Sequence, residues 1–182
     1  TGNWDLNGDG IFGTGADDGP GGVDFMPEVY VGRLPVYLVA GWQAALEKIV
    51  GKIIRYETEA DIGWRHTALL PESFSDAYTD GAYLSESMKN NYLAGAGYTA
   101  YTMYQQGAAP GYPEYDSVFA SDEELRDARV VNRWKNNAYG LVLWWAHGWS
   151  QGAAIYYDGT LFQSDHCALL NDARPAAVFM VS

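Results

Sequence analysis

The stretch "GLVLWWAHGWS", Gly140 to Ser150, opens on a glycine, runs through apolar residues to Ala146, and stops at a His-Gly pair. An uninterrupted apolar run of strand length, bounded by glycine, reads as a strand buried on both faces, as in a parallel sheet. In such a sheet the carboxyl ends of the strands form the ligand crevice, so His147 stands at the edge suited to chemistry. Gly148 allows a sharp turn and a close approach to substrate, and its N–H is available to a developing oxyanion. Taken alone, a His-Gly pair is an ordinary polar strand terminus. What lies on either side decides between the two readings.

Upstream, Ser121 and Glu124 form a capping box that predicts a helix carried to about Asn136. Residues 105–120 are a Gly/Pro loop, and "GYTAYTMY" (97–104) is a Thr- and Tyr-rich strand. A helix is expected from about Asp80 to Leu93, with Leu84 and Met88 inward, after "HTALLPES" (66–73), a short buried strand ending at Pro71. From Trp42 to Tyr56 the apolar set Leu46, Ile49, Val50 and Ile53 recurs at helical spacing. "EVYVGRLPV" (28–36) reads as a strand closed by Pro35. Downstream, "GAAIYYDG" (152–159) is an excursion, "DHCALL" (165–170) a short helix and "AAVFMVS" (176–182) another buried strand. Helices alternating with apolar strands imply an α/β fold, a mainly parallel sheet flanked by helices on both faces.

Composition narrows the function. A length of 182 residues suits one domain with a real core. A formal charge of −12, with only 11 Lys and Arg, excludes the cationic face that nucleic acid requires. No apolar run reaches the length of a membrane span, and "TGNWDLNGDG" at the start carries no secretory signal. The single cysteine, Cys167, rules out an internal disulfide framework.

In "DLNGDGIFG" (5–13), Asp5, Asn7 and Asp9 stand at alternate positions with Gly10 after the third, the opening of an oxygen-ligand calcium loop. Gly10 permits the turn that brings the carbonyl of Ile11 round as a ligand. An EF-hand would have Glu at the twelfth position, which here is Ala16, so Asp17, Asp18 or Asp24 is expected to close the shell. The plainer alternative is an Asx-turn-rich loop with no ion. Convergent carboxylates repel one another without a cation, which favours structural calcium.

Together these pieces resemble the gingipain family of caspase-like cysteine peptidases. The shared pattern is "PEVYVGRLPV", the helix ending "KIIRYE", a Trp and a strand; then "YGLVLWWAHG", "GAAIYY", "SDHCALLNDARP" and "AAVFMVS". It covers nearly the whole chain in the family's order, with Ala146 where the family usually has Gly. The resemblance implies a single caspase-like domain over 1–182: residues 1–35 the calcium-like loop and first strand, 36–182 the α/β catalytic part. It implies a cysteine endopeptidase with a Cys-His dyad, a protein or peptide substrate and an extracellular or cell-surface location. His147 would be the catalytic imidazole, Gly148 an oxyanion-hole donor and Glu72 the acidic residue that holds the imidazole. On the family's register the nucleophilic Cys follows Ser182, which makes the chain a peptidase fragment trimmed at both ends and inert alone. Cys167 is expected to be a small packed side chain in a structural helix, and Asp80 a helix cap. The rival expectation is a calcium-stabilised, non-catalytic binding or surface domain related to the peptidases.

Overall fold

The computed structural model describes residues 5–13, 40–107 and 110–181. The expected strand at 28–36 and the candidate ligands Asp17, Asp18 and Asp24 lie outside the described residues. The chain separates into two compact units, Thr1–Leu46 and Glu47–Ser182.

In the first unit, Asp5 to Gly13 form successive Asx turns. Gly10 N–H donates to Asp5 Oδ2 at 3.1 Å, Asp9 N–H to Asn7 Oδ1 at 3.1 Å and Ile11 N–H to Asp9 Oδ1 at 2.7 Å. Gly10 has a φ of 82°, the left-handed conformation the sharp turn requires.

The second unit holds a five-stranded, wholly parallel sheet in the order β3-β2-β1-β4-β8. Helix α1 (Trp42–Thr58) and a 3-10 turn (Gly63–His66) precede β1 (Thr67–Glu72), and α2 (Ala82–Met88) follows, continued by a π turn at Lys89–Leu93. Then come β2 (Thr99–Gln105), β3 (Glu123–Leu125), α3 (Arg129–Asn136) and β4 (Leu141–Trp145). A second sheet of antiparallel strands, β5 (His147–Trp149), β6 (Gly152–Ile155) and β7 (Gly159–Gln163), is inserted before a 3-10 helix (Ser164–Leu169) and β8 (Ala177–Val181). The architecture is the expected α/β one, consistent with a caspase-like fold.

Strand alternation sends successive side chains to opposite faces. Ala68, Leu70 and Leu143 pack with Leu93, Leu84 and Met88 on the α2 side. Leu69, Val142 and Trp144 pack with Val130, Val131 and Trp134 of α3 and with Ala153, Ile155, Leu161 and Phe162 of the inserted sheet. From β1 the chain moves to β2 on one side, and after β3 it returns to place β4 on the other. The connections therefore diverge between β1 and β4, and a crevice opens beyond the carboxyl ends of those two strands.

Two expectations fail. Ser121 does not open a helix: its hydroxyl donates to the carbonyl of Glu123 at 2.8 Å, and Glu123–Leu125 pairs with Met103–Gln105 as the edge strand. Asp122 anchors that strand by accepting from the N–H and hydroxyl of Thr102 at 2.8 and 2.9 Å. Long-range ladder bonds outweigh the local capping signal, and the helix begins only at Arg129. Nor is β8 buried. Among the described residues it has only β4 beside it, and Val178, Phe179 and Met180 are exposed.

Candidate active site

β4 ends at Trp145 with its backbone tied on both sides. The carbonyl of Trp145 accepts from Ser73 N–H at 2.8 Å, and Ala146 N–H donates to Val181 O at 3.0 Å. His147 and Gly148 then start β5, pairing with Ala154 and Ala153, and both are exposed. The strand thus delivers His147 to the crevice edge, with its ring 5.5 Å from that of Tyr156.

Gly81, just before α2, seats that helix against β4. A Cβ there would lie 2.7 Å from Trp145 Cβ and 2.8 Å from the Ser73 carbonyl, so only glycine permits the approach. Asp80 caps as expected, its Oδ1 accepting from Ala82 N–H at 2.9 Å, while its buried Oδ2 has no hydrogen-bond partner.

Among the described residues Glu72 makes no hydrogen bond to His147. As the last residue of β1 it shares the face of Ala68 and Leu70, is fully buried, and receives a hydrogen bond from the Ser85 hydroxyl of α2. Burial pushes its carboxyl well above the usual range; the Ser85 hydroxyl and the Trp145 backbone act the other way, and the charge of Asp80 adds to the rise. The two-residue period of the strand turns Glu72 to the face shared with Ala68 and Leu70.

Asp76, which sequence reasoning missed, lies in the loop after β1. Asp76 accepts from the N–H groups of Tyr78 and Thr79 at 2.7 and 2.8 Å and from the Thr79 hydroxyl at 2.9 Å. Those bonds, the Tyr78 N–H first, hold it below the usual carboxylate range, and the neighbouring His147 lowers it further. The available signal was "SDAYTD", an Asx-turn former directly after a strand.

Cys167 is exposed in the 3-10 helix rather than packed, because its helix lies over the rim of the unit. The adjacent His166 serves the helix start, with Nδ1 accepting from Gln163 N–H at 3.1 Å. Cys167, Trp144, Gly148, Trp149, Phe162 and Met180 border an apolar groove of about 860 Å³ running from the Gly148 edge.

For calcium, Asn7 and Asp9 have the oxygen chemistry, and their Asx turns still leave lone pairs for a cation. Among the described residues no three His, Cys, Asp or Glu side chains converge, and the carboxylates expected to complete the shell lie outside them.

A parallel sheet flanked by helices and diverging at β1 and β4, with a histidine at the second strand's exit, is an α/β arrangement consistent with a caspase-like peptidase fold. A sequence model of peptidase family C25 matches residues 4–182, and the chain belongs to that family, the gingipain-type cysteine peptidases. No curated protein and no solved structure matches it significantly. Membership supports a function related to the cysteine peptidases in general, a family whose substrates are proteins. Among the described residues no helix is long and apolar enough to cross a membrane.

Proposed function

We propose that the parent protein hydrolyses peptide bonds through a Cys-His dyad in which His147 is the imidazole and a cysteine following Ser182 is the nucleophile. The observation that carries this reading is the register of β4 and β8: Trp145 lies opposite Val181 and Ala146 N–H donates to the Val181 carbonyl, so β8 ends level with the exit of β4. Family membership over residues 4–182 supports it. The thiolate attacks the scissile carbonyl, and the oxyanion is held by Gly148 N–H and the cysteine's own amide. His147 protonates the leaving amine, and water then releases the acyl group as the acid. Histidine and cysteine on neighbouring strand ends need no direct contact before substrate binds.

Asp76, rather than Glu72, is the carboxylate we assign to support the imidazolium, since Glu72 is engaged with Ser85 of α2 while Asp76 lies in the exposed loop after β1. Calcium on Asp5, Asn7, Asp9 and the Ile11 carbonyl, completed by Asp17, Asp18 or Asp24, would hold the acidic N-terminal loop. Secretion or surface display follows from the family and suits a calcium-dependent loop.

The test is peptide cleavage by the parent protein. Thiol-dependent hydrolysis should fall by a factor on the order of 10² or more in His147→Ala. A parent protein with no cysteine just after Ser182, or cleavage indifferent to His147, overturns the peptidase reading and leaves the binding domain. In the same assay Asp76→Asn should slow turnover more than Glu72→Gln; the reverse order would return the supporting role to Glu72.

A further inference from the structure

Gln105, the last residue of β2, is fully buried, yet a strand-end glutamine has no place in the core's apolar packing. Its amide is saturated. Oε1 accepts from Phe74 N–H at 3.1 Å and faces the Ser73 hydroxyl at 2.9 Å. Nε2 donates to the Tyr156 carbonyl at 2.6 Å and to the Gly107 carbonyl at 3.3 Å. The orientation of the amide is dictated by its surroundings, because an N–H on one side needs an acceptor and a carbonyl on the other needs a donor. Ser73, also fully buried, closes the ring by accepting from Tyr156 N–H at 2.8 Å.

The segments joined are the loop after β1 and the tip between β6 and β7, which lies beside His147. Ser73 and Phe74 begin the loop that carries Asp76, and Tyr156 leads the tip between β6 and β7, its ring 5.5 Å from the imidazole. That tip is strained: Tyr157 has a φ of 55°, uncommon for a bulky residue and sustained only where surrounding contacts fix it. Stacking of Tyr157 on Tyr115 and Tyr112, at 5.9 and 5.3 Å, supplies some of those contacts, and the Gln105–Ser73 bonds to Tyr156 supply the rest.

We propose that Gln105, with Ser73, is the positioning residue of this site: one buried amide ties the loop after β1 to the Tyr156 wall beside His147. The assignment rests on His147 as the catalytic imidazole, but its test does not require cleavage. By NMR on the full chain, the nuclear Overhauser contact between the His147 and Tyr156 rings is expected to vanish in Gln105→Leu. It should persist in Thr102→Val, which loses a comparably buried hydrogen bond elsewhere on β2. Gln105→Glu provides the second reading. Its carboxyl is isosteric and can donate to Tyr156 O only when protonated, so the contact should match the unsubstituted chain at about pH 5 and be lost at about pH 8. A contact retained in Gln105→Leu, or retained at both pH values in Gln105→Glu, overturns the proposal. Absence of peptidase activity in the parent would instead overturn the reading of His147.

Discussion

At the residue scale, Glu72 and His147 differ in what their surroundings permit. Glu72 sits under α2 with its carboxyl raised by burial, so the folded chain holds that proton more tightly than the unfolded one. Its contribution to stability is therefore full below the unfolded-state pKa and is lost as pH rises through the folded one. Glu72→Gln keeps the shape without the ionisation and should stabilise the chain near pH 7 by on the order of 1–2 kcal/mol, with little gain near pH 4. Urea melts at the two pH values check this, and a gain independent of pH would show that ionisation is not the cause. Asp76 has the opposite sign. Its lowered pKa contributes stability above the unfolded value that is lost on acidification, and that loss should appear as faster limited proteolysis within residues 73–80 at low pH.

Among the elements, β3 and α2 show which local signals survived. The capping-box reading at Ser121 requires a helix where the ladder with β2 places a strand. Ser121→Ala should accordingly leave the helical circular-dichroism signal unchanged, whereas Leu125→Ala, which empties a fully buried position, should cost about 2–5 kcal/mol in a denaturant melt. At the head of α2, Gly81→Ala forces a methyl group into Trp145 and the Ser73 carbonyl. A loss of about 1–3 kcal/mol is expected, accompanied by a shift of the His147 resonances, since Ser73 and Trp145 both border the site. Unchanged His147 resonances would mean that α2 does not set the site's geometry.

For the whole molecule, the predictions concern calcium and charge. A chain with a net charge of −12 gains from neutralising a carboxylate cluster, and calcium should raise both the melting temperature and the protease resistance of residues 1–30. A calcium titration that moves neither would assign "DLNGDG" to Asx turns alone.

Much of the fold was legible before any tertiary information. The apolar runs 67–72, 141–145 and 177–181 and the periodic helix from Trp42 carry their own periods, and period is a local property of sequence. His147 was legible for the same reason, as the polar stop at the end of a buried strand. The rest depended on contacts between residues distant in the chain. Whether residues 123–125 are helix or strand is decided by β2, some twenty positions away; whether Glu72 meets Ser85 is decided by which face of β1 it occupies; and Gln105 has a function only because Phe74 and Tyr156 converge on it. Sequence by itself determined the apolar strands, the class and the histidine. Tertiary structure alone decided that histidine's neighbours, because hydrogen bonds between loops form no pattern along the chain.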